Sequence, residues 1–248
     1  MARVLLPLPD HDFDVTEVAV PWKLLRDAGH DVVFATERGA AGNTPAADPL
    51  LLSGVLFGRL GVADEPAEWY AEMTRSREFQ RPVLWSTFDP REFDGLLLPG
   101  GHAPGMRQYL GSTELQAKVA AFCALGRPVA AICHGVLVLA RAKGADGRSV
   151  LHNKRTTCLP KYLERSAFFL TAWRRGRYYR TYPAYVETEV RAALDSPDQF
   201  VRGPRVGTKR GTATNDRPAF VVEDGNYVSA RWPGDAYLFA RTFIGKLS

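Results

Sequence analysis

The stretch Arg127-Pro-Val-Ala-Ala-Ile-Cys-His-Gly-Val-Leu-Val-Leu-Ala140 decides the fold. Arg127 to Ile132 reads as a buried strand, Cys133-His134-Gly135 as an abrupt turn, and Val136 to Lys143 as a helix that starts at once. A cysteine on such a strand–turn–helix bend is the thiol counterpart of the nucleophile elbow, which exposes its reactive atom at the carboxyl end of a parallel sheet. The small residues Ala131 and Gly135 let the chain turn without a side-chain clash. The amino end of the following helix favours a thiolate, so a lowered pKa is expected at Cys133. The N–H of His134 lies where it can stabilise an oxyanion formed when that thiolate attacks a carbonyl. The bland alternative is a buried, inert cysteine closing a strand.

Working outward, Arg3 to Leu8 is a short apolar run closed by prolines, a buried first strand. Asp14 to Ala28 carries one apolar helical face and stops at Gly29, and Pro21 fits only if it occupies the first turn. His30 to Ala35 is another buried strand, which completes a βαβ unit and points to a parallel sheet covered by helices on both faces. Residues 37–92 are irregular apart from a helical stretch at Ala67 to Phe79, and are expected to be an insertion between core strands. Asp94 to Leu98 returns to the strand pattern and runs into Pro99-Gly100-Gly101-His102. Two adjacent glycines let backbone N–H groups approach a ligand as an oxyanion hole or carboxylate cradle, with a plain tight turn as the alternative. Further on, Ser112 to Leu125 reads as helix, Arg155 to Cys158 as strand and Pro160 to Trp173 as helix. A hairpin is expected over 218–230 and a closing helix over Pro233 to Lys246. The expected architecture is α/β, a three-layer α/β/α sandwich on a mostly parallel sheet, one domain over residues 1–248.

Composition narrows the function classes. An apolar fraction of 46% and a charged fraction of 24% over 248 residues exclude wholesale disorder and fibrous architectures. No run approaches the ~20 apolar residues that span a bilayer, and acidic residues follow the first short apolar run, so no signal peptide is read and a cytoplasmic protein is expected. Cys123, Cys133 and Cys158 form no C-x-x-C pair, so neither a disulfide framework nor a zinc cluster is expected. Cys123 and Cys158 read as core filling. The tract Trp173-Arg-Arg-Gly-Arg-Tyr-Tyr-Arg-Thr-Tyr182 pairs basic and aromatic residues as nucleic-acid binders do. No nucleic-acid-binding module accompanies it, and a solvated face with tyrosines at a subunit contact is the expectation.

LLLPGGHAPGMRQYL (96–110) followed by PVAAICHGVLVLA (128–140) resembles the ThiJ/PfpI superfamily, to which the Parkinsonism-associated deglycase belongs. The resemblance runs from VLLPLPD (4–10) to VSARWPGDAYLFARTF (228–243). It implies a fold similar to class I glutamine amidotransferases, flavodoxin-like in character. The insertion at 37–92 and His102 after the glycines are similar to the branch holding heat-shock chaperones and glyoxalase III enzymes. Thr16-Glu17 with Pro21 matches the family's acidic residue that contacts the nucleophile. The resemblance further implies a third triad carboxylate, matched by Glu164, thirty residues beyond His134.

On this reading Cys133 is the nucleophile, Glu17 a protonated carboxyl that shuttles a proton, and His134 an acid/base partner oriented by Glu164. Gly100, Gly101 and His102 line the oxyanion site or pocket. The implied activity is conversion of a 2-oxoaldehyde to a 2-hydroxy acid without glutathione, glyoxalase III-like, or a deglycase-like reaction, with no cofactor and no metal. A cysteine amidase or peptidase using the same Cys–His pair is the first alternative. A chaperone or redox and stress sensor without catalysis is the second. The expected partners are a small carbonyl or amide substrate and a second copy in a homodimer, with no nucleic acid and no membrane.

Overall fold

The computed structural model describes residues 1–42, 44–55, 61–207 and 209–247. The chain builds β1 (Arg3–Pro7), β2 (His11–Phe13), α1 (Val15–Asp27), β3 (Asp31–Thr36), β4 (Ala46–Ala47) and α2 (Pro49–Ser53). Next come α3 (Asp64–Met73), α4 (Arg77–Gln80), β5 (Val83–Leu84), β6 (Gly95–Leu98), α5 (Met106–Gly111), α6 (Thr113–Ala124), β7 (Val129–Ile132) and α7 (Val136–Arg141). The last elements are α8 (Lys161–Arg175), α9 (Val186–Ala192), β8 (Val221–Asp224), β9 (Tyr227–Ala230) and α10 (Ala236–Ile244).

Seven strands form one sheet in the order β5-β3-β1-β6-β7-β9-β8, and only β8 runs antiparallel, against β9. The chain first grows from β1 towards β5 and then reverses to lay down β6, β7 and β9 on the other side. The reversal puts a crevice beside the carboxyl ends of β1 and β6, the place where open α/β sheets bind ligands. α1 packs against α3 and α10, while α7 packs against α5, α6 and α9. Both faces of the central strands are therefore covered, and β6 and β7 are buried along their whole length. That double burial is why these strands read as unbroken apolar runs rather than alternating ones.

Several sequence expectations need correction. Helix α1 starts at Val15, capped by Asp14, so Pro21 lies in its interior rather than its first turn. Proline there removes one backbone hydrogen bond, a loss that the burial of most of the helix offsets. Residues 155–158 form no strand and make only an isolated bridge between Thr156 and Phe200. The 37–92 region is more than an insertion, because β5 at its end pairs with β3 as the edge of the main sheet. Asn43 and residues 56–60 of that region lie outside the described residues. Its remaining part adds β4 beside β2 and lays α3 along α1.

Candidate active site

Ile132 ends β7 in extended conformation at φ −128°, and Cys133 then swings to φ +58°. A left-handed non-glycine residue costs on the order of 1–3 kcal/mol and persists only where surrounding structure enforces it. Here the enforcing contact is the end of β6. A Cβ at Gly135 would lie 2.3 Å from the Leu98 carbonyl oxygen and 2.5 Å from that of Pro99. Only glycine lets the two strand ends close in, and that closure lifts the Cys133 sulfur off the sheet.

Asp14 caps α1 by accepting the N–H groups of Thr16 at 2.8 Å and Glu17 at 3.0 Å. This cap fixes the first turn, from which the fully buried Glu17 reaches across the crevice. Its Oε2 accepts the Gly100 N–H at 2.8 Å, and its carboxyl lies close enough to Cys133 for each group to shift the titration of the other. Burial first, and the charge of Asp14 second, push the Glu17 carboxyl well above the usual carboxylate range, which favours its protonated form. The Gly100 amide is thus committed to Glu17, which corrects the expectation that it serves an oxyanion hole.

The expectation of a lowered Cys133 pKa is also corrected. Burial, and then the charges of Glu17 and Asp14, push the thiol up, while the His134 N–H pulls it the other way. Cys133 is only 4% exposed and the helix behind it is six residues long, so desolvation outweighs the dipole. A protonated Glu17 removes its own share of the repulsion, and the pair carries at most one negative charge.

The Cys133 Sγ lies 3.5 Å from His134 Nδ1. Burial holds His134 well below the usual histidine range, which leaves it neutral, and its ring centre sits 4.8 Å from that of His102. Burial likewise takes His102 down to about 4. Glu164 is folded in beside both imidazoles, yet no hydrogen bond joins it to His134 among the described residues. Its Oε1 accepts from Arg180 Nη1 at 2.9 Å and its Oε2 from the Val186 N–H at 3.0 Å. The triad expectation is therefore not met: a guanidinium and the start of α9 have taken both carboxylate oxygens. His102, His134 and Glu164 offer ligand atoms within 4.8 Å of one another, the spacing of a metal group. The adjacent Arg180 cation opposes a metal ion there.

Above the sulfur opens a cavity of about 310 Å³. Cys133, Glu17, Gly101, His102 and Asp14 line it, and α2 and α8 contribute apolar walls. The family model described as ThiJ/PfpI family-like matches residues 8–204. This chain belongs to the ThiJ/PfpI family. A deglycase of Pyrococcus abyssi is 27% identical over 243 residues, covering 98% of this chain and 97% of that protein. An uncharacterized protein of Schizosaccharomyces pombe is 27% identical over 247 residues, 96% of this chain and 81% of that one. In fold the chain is similar to glyoxalase III from Candida albicans, with a TM-score of 0.66 at 17% identity over 100% of this chain and 98% of that one. It is also similar to a rapid encystment protein of Francisella tularensis, with a TM-score of 0.72 at 17% identity and full coverage of both chains.

Within this ThiJ/PfpI site the sequence reading missed Asp14, Asp48 and the tyrosines. Asp14 faces the cavity and burial raises its carboxyl to about 6. The spacing Asp14-Val-Thr-Glu17 is a helix-start pattern, so its capping role was legible although its place in the pocket was not. Tyr178 and Tyr179 donate their hydroxyls to Asp48 at 3.1 and 3.0 Å. Tyr179 is buried inside its own chain, while Tyr178 and Tyr182 are half-buried. The second half of the tract turns inward, where Arg180 and the two tyrosines find buried carboxylates on α8 and before α2, while Trp173, Arg174 and Arg177 stay exposed.

Proposed function

We propose that this chain is a cysteine-dependent enzyme acting on small reactive carbonyls, converting a 2-oxoaldehyde to the corresponding 2-hydroxy acid. The observation that carries the reading is the fully buried Glu17 carboxyl, its neutral form favoured by burial, lining with the Cys133 sulfur the floor of one cavity. Full-length likeness to deglycases of Pyrococcus abyssi and Pyrococcus furiosus, 27% and 25% identical, supports carbonyl chemistry.

The reactive form is the Cys133/Glu17 pair with a single proton. Sulfur bonds to the aldehyde carbon and that proton ends on the aldehyde oxygen, leaving a hemithioacetal and a Glu17 carboxylate. The carboxylate takes the hydrogen from the same carbon as a proton, and its electron pair forms an enediolate with the neighbouring carbonyl, the negative charge resting on the second oxygen. Glu17 returns this proton to the second carbon. Neutral His134 accepts the proton of the first oxygen and delivers it to the second, which gives a 2-hydroxy thioester. Water then adds to the thioester carbon, the C–S bond breaks, and the sulfur recovers a proton as the hydroxy acid leaves.

The test is lactate formation from methylglyoxal. Wild type should produce lactate, and Cys133→Ala and Glu17→Gln should each lose about 100-fold or more, the scale of a removed acid/base group. Lactate formed at the wild-type rate by Glu17→Gln would overturn the mechanism.

A further inference from the structure

We propose that the carbonyl compound suited to this site carries an uncharged apolar body several carbons larger than a methyl group, as in an alkyl 2-oxoaldehyde. The inference rests on the reaction class above and adds the chemical class of its substrate.

Size is the first argument. A cavity of about 150 Å³ is enough for a benzene-sized ligand. The 310 Å³ above Cys133 therefore takes a three-carbon dicarbonyl and leaves room for a further chain or ring. Lining is the second. Beyond the reactive floor the walls are Leu51 and Val55 from the α2 side, Leu159 and Leu163 at the start of α8, and Trp232 before α10. A methyl group would leave most of this apolar surface facing water.

The mouth carries the third argument. Leu170 lines the cavity and is at the same time 59% exposed. Elsewhere on α8, Phe169 and Trp173 are 64% and 67% exposed, and Leu52 on α2 is 47% exposed. Leu170 thus carries the apolar wall from the cavity to solvent, a path for a tail whose carbonyl end sits at the sulfur.

Charge is the fourth. Three carboxyl side chains line the cavity, Asp14, Glu17 and Asp48, and Arg210 is the one basic residue lining it among the described residues. Arg210 already lies close enough to lower Asp14. An anionic body would meet the acidic groups, whereas a neutral one has no such cost.

Two assays test this, one of them independent of turnover. The first compares kcat/KM for methylglyoxal, 2-oxoheptanal and 6,7-dioxoheptanoate. Burial is worth roughly fourfold per methylene, so 2-oxoheptanal should exceed methylglyoxal by about tenfold or more even if its chain is half buried, and 6,7-dioxoheptanoate should gain nothing. Leu170→Asp should reduce the advantage of 2-oxoheptanal over methylglyoxal. The second assay measures binding of heptan-2-one and of hexanoate to the Cys133→Ser protein by calorimetry. Heptan-2-one should bind and hexanoate should not. Turnover of methylglyoxal with no gain for 2-oxoheptanal and no binding of heptan-2-one overturns the substrate class and leaves the reaction class standing. Binding of heptan-2-one without turnover of any 2-oxoaldehyde supports the apolar site and overturns the reaction. A preference for either anion, held by Arg210, overturns the inference, and neither turnover nor binding overturns both proposals.

Discussion

Replacing Gly100 by alanine tests the centre of the site with a single methyl group. Gly100 lies outside the left-handed region, so alanine adds no backbone strain and the effect is one of crowding alone. The new Cβ would sit 2.7 Å from Glu17 Oε2, 2.8 Å from the His134 backbone nitrogen and 2.9 Å from the Ile132 carbonyl oxygen. Two of these atoms belong to the backbone of the elbow. The third is pinned, because Glu17 Oε2 is the acceptor of the Gly100 N–H itself. None can retreat cheaply, so the cost belongs at the upper end of the roughly 1–3 kcal/mol range for overpacking. At about 2–4 °C per kcal/mol for a chain of this size, the melting temperature should fall by roughly 5–10 °C. Activity should suffer more than stability, since a displacement of about 1 Å at a reacting group costs on the order of 100-fold. Thermal melting beside kcat/KM for methylglyoxal reads both effects. Gly207→Ala is the control: nothing lies within 4 Å of its added Cβ and its φ is ordinary, so it should change stability by less than about 0.5 kcal/mol. A Gly100→Ala protein with wild-type melting temperature and wild-type kcat/KM would refute the placement of Glu17 and the elbow around this glycine.

Two further substitutions address charge. Asp14 has its carboxyl raised from 3.8 to about 6, so the folded state holds this proton more tightly than the unfolded chain. Its contribution to stability is therefore full at acid pH and fades as pH rises from about 4 through about 6. Asp14→Asn, which retains the helix cap, should abolish that fading in melts recorded across the range. It should also shift the rise of activity with pH downwards, because the charge of Asp14 no longer holds the proton on Glu17. An unchanged pH profile would exclude coupling between the two carboxyls. Just past the carboxyl end of β9, beside cavity-lining Trp232 and Pro233, Arg231 and Asp235 form a buried pair with both side-chain bonds at 2.9 Å, and they are 1% and 0% exposed. Asp235→Ala should cost about 3–5 kcal/mol, measured by urea unfolding, because it strands a guanidinium out of water. A cost below about 1 kcal/mol would mean that solvent reaches Arg231.

The layered α/β fold, the main parallel strands and the elbow were legible in the sequence, because each rests on local chemistry. Apolar runs bounded by proline and glycine mark strands buried on both faces, and Ala131-Ile-Cys-His-Gly135 admits few backbone paths. Glu17, Gly100 and His102 were legible through their neighbours in the chain, as a helix start and a strand end. The short pairings of β2 with β4 and of β5 with β3 were not, since two or three residues carry too little pattern to mark a strand.

By itself, then, the sequence determined where a cysteine would leave a strand and which carboxyl and glycines would meet it. The tertiary structure alone decided what those groups do to one another. The Gly100 amide bonds Glu17 instead of standing open, Arg180 withdraws Glu164 from His134, and burial lifts the thiol that the helix end was expected to lower. These outcomes depend on how much water is excluded around charges distant in the chain. Desolvation is set by everything packed around a group, and no local stretch of residues encodes it.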